Sequence, residues 1–376
     1  MSDIQIGLSK SARRTFALDD VALVPTRRTR DRRDVDTSWQ IDAFRFDTPI
    51  VGAPMDSVMS PKTAIALGQL GGLGVLNLEG LWTRYEDPQP LLDEIAELPE
   101  ADPASSTRRM QQIYSEPIKP ELITARLEQI RESGVIVAGS LTPQNTQEHY
   151  ETVVQAGVDV FVIRGASVSA EHISTSHEPL NLKKFIYELD VPVMVGGVAG
   201  YSQAKHLMRT GAAGVLVGFG GGSAMTTRKG LGISAPMATA IADVAAARSD
   251  YLDESGGRYV HVIADGGLSR SGDLVKALAL GADAVMIGAP LARASEAPGQ
   301  GWYWGNEAHS RDFPRGVRTP LGVVGTLEEV LYGPSHHVDG TRNIVGALKR
   351  AMANCGYLDL KKFQKAEMTI VPEYRG

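Results

Sequence analysis

"VIADGGLSRSGDLVKALALGADAVMIGAP", residues 262–290, reads as one complete unit of a repeating architecture. An apolar run ends in the turn Asp265-Gly266-Gly267. An amphipathic stretch follows, with Ser271 as the expected N-cap and Gly281 as the expected C′ residue of a helix. A second apolar run, 282–290, comes straight after it. Both runs are nearly continuous in apolar residues rather than alternating. That is the pattern of parallel strands covered on both faces.

The same unit recurs toward the N-terminus. Matching runs are "TPIVGAP" (48–54), "GLGVLN" (72–77), "GVIVAGS" (134–140), "VDVFVIRG" (158–165), "VPVMVGG" (191–197) and "AGVLVGFG" (213–220). Helical patterns such as "SPKTAIALGQLG" (60–71) and "SQAKHLMRTG" (202–211) lie between them. Strand–helix repeats of this number predict an α/β fold of the TIM (β/α)8 barrel type rather than a doubly wound sheet. The interval between the second and third strands is too long for a loop. Residues about 80–133 are polar, contain prolines and carry helical patterns, so a helical insertion without a core of its own is expected there. The chain is accordingly read as a single barrel domain over 1–376, with an N-terminal arm at 1–47 and a C-terminal flap and tail at about 300–376.

Bulk properties exclude several classes. A formal net charge of -6 speaks against a general nucleic-acid binder. The densest basic stretch, "RRTRDRR" (27–33), is read as a solvated loop or a subunit contact. There is one cysteine, Cys355, so no intrachain disulfide can form, and a reducing compartment is expected. The N-terminal residues lack the apolar segment of a secretion signal, and no run approaches a membrane span. The expectation is a cytoplasmic protein without membrane contact. The histidines show no metal-ligand spacing. Trp302, Tyr303 and Trp304 are expected at a subunit contact, with a pocket wall as the other option.

In a TIM barrel the chemistry sits at the C-terminal ends of the strands, with phosphate commonly held by the loops after strands seven and eight. Those loops carry Gly266-Gly267 and Gly288-Ala289 here, where a backbone can approach an anion closely. The stretch "GFGGGSAMTT" (218–227) follows the sixth strand.

Taken in order, these motifs resemble the IMP dehydrogenase/GMP reductase family across nearly the whole chain. "FALDDVALVP" (16–25) resembles its entry segment and "PIVGAPMDSVMSPKTAIALGQLGGLGVLN" (49–77) its first two strands. "GFGGGSAMTT" resembles its Gly-rich catalytic loop, residues 262–299 its phosphate-binding half, and "IVGALKRAMANCGYLDLKKFQ" (344–364) its C-terminal segment. Full-length IMP dehydrogenases usually carry paired CBS modules after the second strand. The 80–133 insertion is too short for them, so the chain resembles the short, CBS-less IMP dehydrogenase-related paralogues.

The resemblance implies a purine nucleoside monophosphate (IMP, GMP or XMP) as ligand and guanine nucleotide metabolism as the setting. Asp265 then takes the ribose, while Ser223, Gly267, Gly288 and Ala289 take the phosphate. Met55 and Met286 flank base and ribose, with Met286 equally readable as core. Backbone carbonyls of Gly220 and Gly222 are the implied K+ ligands. The family reaction is NAD(P)-linked redox at purine C2, through a cysteine thiolate on the Gly-rich loop. Family members are usually homotetramers, and a paralogue can also partner a true IMP dehydrogenase.

Three departures bear on activity. Met225 stands where the family has its nucleophilic cysteine, and a thioether cannot form a thiolate adduct. Thr227 matches a threonine that assists catalysis, but with no neighbouring base in the sequence its hydroxyl is a weak nucleophile. Arg164 replaces the aspartate that meets the nicotinamide ribose, which puts NAD or NADP binding in doubt. The hydrolytic flap survives only as an echo in "FPRGV" (313–317), without its Arg-Tyr pair. Little or no IMP dehydrogenase turnover is expected. Two alternatives stay open: an active oxidoreductase with a non-cysteine mechanism, and an FMN-dependent barrel, which would be yellow.

Overall fold

In the computed structural model the described residues are 3–371, apart from 166, 176–177, 219, 226 and 312–317. The flap echo at 313–317 therefore lies outside them. Eight parallel strands close into a barrel in sequential order. They are β1 (Ile50–Gly52), β2 (Leu73–Asn77), β3 (Ala138–Leu141), β4 (Val160–Arg164), β5 (Val193–Val198), β6 (Gly214–Val217), β7 (His261–Asp265) and β8 (Ala284–Ile287). β8 pairs with β1 through Val285↔Ile50 and closes the ring. Each strand coincides with one of the apolar runs. Their side chains, among them Val51, Val75, Val162, Val195, Leu216, Ile263 and Val285, are fully buried between the barrel interior and the helices.

Helix starts follow side-chain chemistry. Ser60 caps α1 (Pro61–Gln69) by accepting from the Thr63 N–H, and Pro61 takes the first helical position, where its missing donor costs nothing. Thr142 does the same for α5 (Pro143–Gln155). One expected cap is displaced. The helix that follows β7, α10 (Ser271–Ala279), begins on Ser271 itself, and Arg270 is the capping residue. The Asp273 carboxylate accepts from the Arg270 N–H at 3.1 Å, the third-position half of a capping box. Gly281 adopts φ +118°, as a helix-ending C′ residue should.

The insertion folds as α2 (Gln89–Glu97), α3 (Pro103–Ile113) and α4 (Pro120–Glu132). α4 packs between α1 and α5 in the outer ring, so it serves as the barrel helix of the second unit. α2 and α3 stand outside the ring and bury Leu92, Ile95, Met110 and Ile113 in a small separate cluster. Trp304 and Ala308 complete that cluster, so it is a core shared with the C-terminal segment rather than one the insertion closes alone.

At the opposite end of the barrel the hairpin Trp39–Ile41/Phe44–Phe46 supplies the fully buried Ile41. Nearby, α14 (Leu360–Phe363) and the residue after it are tied to the barrel through Asp283. The chain's two arms also pair, Val21–Leu23 running antiparallel to Met368–Ile370. Among the described residues no helix is long and apolar enough to cross a membrane.

Candidate functional site

A cavity of about 310 Å³ opens at the C-terminal ends of the strands. β1 contributes Met55 through its following turn, and β4 contributes Arg164 at its tip. The loop after β6 brings Gly220, Gly222, Ser223 and Met225, with Thr227 beginning α8 (Thr227–Leu231). β7 supplies Asp265 and then Gly267, while β8 supplies Met286, Gly288 and Ala289. Every residue nominated from the sequence lines this one space.

Glycine is required at two of these approaches. Gly218 sits at φ +147° with the Asp265 carbonyl directly where a side chain would go. At Gly288 a Cβ would stand 2.5 Å from the Tyr303 hydroxyl. That hydroxyl therefore sits close against the β8 loop, and also near Gly222 of the Gly-rich loop. Burial holds the Tyr303 phenol well above its ordinary range, with Arg164 opposing and Asp265 adding to the shift. It is a neutral donor facing the cavity.

Tyr303 was not singled out as a site residue. The aromatic run is read from the sequence as a subunit contact or a pocket wall, and the structure gives each ring a place within the chain. Tyr303 walls the cavity, Trp304 is buried in the insertion cluster, and Trp302 lies 4.0 Å beneath the Arg318 guanidinium. The same segment contributes Gly305, Asn306 and Glu307 to the lining. Glu307 matters chemically, because its carboxylate accepts from the Thr227 hydroxyl at 2.6 Å. The expectation that Thr227 has no base beside it is thus corrected. The partner is 80 residues away in sequence, and no local pattern marks it.

Met225 packs its methyl group toward Gly305, where Met55 also converges. Together they form an apolar wall. The chain's single cysteine is elsewhere: Cys355 is buried at the end of α13 (Ile344–Asn354), its thiol 3.7 Å from the Val24 carbonyl. Burial pushes that thiol up, away from thiolate chemistry.

Arg164 crosses the barrel mouth and pairs with Asp265. Its Nε donates to Oδ2 at 2.7 Å and its Nη2 to Oδ1 at 3.3 Å. Burial works against the guanidinium charge, but the Asp265 carboxylate outweighs it and holds the pKa above its ordinary value. Arg164, at the expected cofactor position, is bonded to Asp265, the residue expected to take the ribose.

Behind Met55, a buried chain of polar groups connects the cavity rim to the insertion. Asp56 accepts from the Leu81 N–H at 3.0 Å and from the Tyr114 hydroxyl at 2.8 Å. Trp304 Nε1 donates to the same hydroxyl at 2.9 Å, and His309 stacks on the Tyr114 ring at 3.6 Å. Burial raises Asp56 to about 6 and lowers His309 to about 3. It also lowers His261, at the far end of the barrel, to about 4.

These shifts set a pH dependence. The two imidazoles return to the ordinary range on unfolding, so their contribution is present above about pH 6.5 and lost as pH falls toward their folded values. Asp56 works the other way: its contribution is present below about pH 4 and lost as pH rises through 6. Two imidazoles against one carboxyl leave a net loss of about 1.4 kcal/mol per pH unit on acidification from pH 6 to 4. Thermal melts across this range should show Tm falling as the solution is acidified, with His309→Phe less steep than the parent. A Tm that stays flat or rises would contradict the assignment.

Comparison with known proteins matches this geometry to a family. The model of the IMP dehydrogenase / GMP reductase domain matches residues 15–373. An uncharacterized oxidoreductase of Mycolicibacterium smegmatis is 52% identical over 98% of this chain and 99% of its own. An inosine-5'-monophosphate dehydrogenase of Methanocaldococcus jannaschii is 24% identical over 96% of this chain and 93% of its own. Among solved structures, an IMP dehydrogenase/GMP reductase-like protein from Corynebacterium glutamicum superposes with a TM-score of 0.93. It is 50% identical, with 98% of each chain covered.

Proposed function

Since the chain belongs to the IMP dehydrogenase / GMP reductase family, we propose that its cavity binds a purine nucleoside 5′-monophosphate, IMP, GMP or XMP, without thiolate-dependent redox at purine C2. One observation carries this reading. The cavity gathers Ser223, Asp265, Gly267, Gly288 and Ala289, yet it presents a Met225 thioether, while the only cysteine is buried outside it.

In this proposal Ser223, Gly267, Gly288, Ala289 and the Tyr303 hydroxyl hold the phosphate by neutral donors. Asp265 accepts from the ribose. Met55, Met225 and Met286 make a soft apolar slot for the base. Potassium fits to a limited degree: the Gly222 carbonyl already accepts from the Met225 N–H at 2.9 Å, which leaves it one lone pair for a cation beside Gly220. NAD or NADP does not fit in the family manner. Arg164 brings no carboxylate to a nicotinamide ribose, and its fork is engaged with Asp265. A cytoplasmic homotetramer, alone or as partner of a thiolate-bearing family enzyme, completes the proposal.

Asp265→Ala should weaken IMP and GMP binding about tenfold or more, because charge-assisted hydrogen bonds contribute roughly 1.5–3 kcal/mol. Titration calorimetry reads this directly. Equal affinity of variant and parent would remove Asp265 from the site.

A second reading, an active enzyme without a thiolate, draws on the Thr227–Glu307 hydrogen bond. A carboxylate 2.6 Å from a hydroxyl inside the cavity can take its proton, or that of a water held beside it. Turnover by the unmodified protein would select this reading.

A further inference from the structure

Resting on the nucleotide reading, we propose that Arg164 belongs to the nucleotide subsite, where with Asp265 it selects a vicinal diol, so that ribonucleotides bind and 2′-deoxyribonucleotides are rejected. The argument begins from the pair's geometry. Asp265 is 9% exposed and Arg164 24%, and both line the cavity, so the pair is sheltered but open on the ligand side. Two N–H groups of the guanidinium are spent on the carboxylate, one to each oxygen. A guanidinium has five N–H donors, and those on Nη1 meet no acceptor among the described residues. A carboxylate has about four lone-pair sites, of which Arg164 takes two.

The pair therefore offers an acceptor edge and a donor edge side by side, fixed by the fork geometry. A vicinal diol is the matching ligand chemistry, since each of its hydroxyls can both donate and accept. One hydroxyl can donate to Asp265 while its neighbour accepts from Nη1. A ligand with only one hydroxyl leaves one half of a sheltered charged pair unsolvated, and that loss is the source of discrimination. A carboxylate alone would present acceptors only. Arg164 is then a specificity-determining residue.

A nucleotide and a dinucleotide cofactor both carry ribose diols, so the test has an arm for each. The unmodified protein, Arg164→Lys and Arg164→Ala are titrated calorimetrically with GMP, 2′-deoxy-GMP and NAD. The unmodified protein should bind GMP roughly ten- to hundredfold more tightly than 2′-deoxy-GMP, as expected for one charge-assisted hydrogen bond. Arg164→Ala should shrink that ratio to about threefold or less, and Arg164→Lys should keep an intermediate ratio. Equal affinity of the parent for both nucleotides overturns the proposal and leaves the nucleotide reading standing. So does a ratio unchanged in Arg164→Ala, the result of a merely structural role. NAD binding that depends on Arg164 moves the diol to the cofactor and also overturns it. Absence of any GMP binding removes both readings. The parent's ratio needs no variant, so a poorly folding Arg164→Ala does not block the test.

Discussion

Given IMP with NAD, or GMP with NADPH, the protein should produce no change in nicotinamide absorbance above background. Addition at purine C2 needs a group that attacks as an anion and later leaves, and the Met225 thioether has no proton to lose and so cannot supply the anion. Losing the nucleophile of a catalytic unit costs on the order of 10⁶ in rate, judged from serine proteases. Restoring one member should recover little. Met225→Cys is expected to give a trace of NADH at most, because Arg164 still stands where the cofactor's partner should be. A trapping experiment is more sensitive. An electrophilic 6-substituted purine nucleotide should label Met225→Cys and leave the parent unmodified. Robust turnover of either substrate pair by the parent would sink the silent-site account and require the Thr227–Glu307 pair to do the chemistry.

The second large effect concerns the other end of the barrel. Asp283 is 3% exposed and accepts from Arg248 at 2.9 Å, Tyr259 at 2.7 Å, Lys361 at 2.6 Å and Gln364 at 3.0 Å. It also accepts from the Val262 N–H at 2.8 Å, at the start of β7. Burial alone would raise its pKa, but Arg248 and Lys361 outweigh burial and hold the carboxyl below its usual range. Asp283→Ala removes the anion and strands Arg248 and a buried backbone donor. Breaking a buried pair from one side costs about 3–5 kcal/mol, and a loss of that size is expected in urea unfolding. A loss below about 1 kcal/mol, the range of an exposed pair, would show that Asp283 does not clamp α14 to the barrel.

The barrel was legible because its signal is local. Each strand is a short apolar run, and each run ends in a turn that glycine or a helix cap marks, so the eight strands from Ile50–Gly52 to Ala284–Ile287 fall on the predicted stretches, with Ala138–Leu141 and Val193–Val198 each running one residue past theirs. Residues fixed by strand ends and their loops were equally accessible, as with Met55, Ser223 and Asp265 meeting in one cavity. What escaped depends on distance along the chain. The Arg164–Asp265 pair spans 101 residues, and the side chain's reach across the barrel mouth has no sequence signature. Tyr303 and Glu307 lie in a segment whose aromatic density fits a contact surface as well as a cavity wall. Ser271 was displaced as a cap for a local reason: the cap falls one residue earlier than the serine marks, on Arg270, and the Asp273 carboxylate accepts from its N–H and from that of Ser269.

The most direct test of a nucleotide site without its nucleophile is calorimetric titration of the unmodified protein with IMP and GMP, each with and without NAD(P). The account predicts saturable binding of at least one monophosphate, with an affinity that NAD(P) leaves unchanged and that Asp265→Ala weakens. No binding heat from IMP, GMP or XMP, or binding that Asp265→Ala leaves intact, would contradict it.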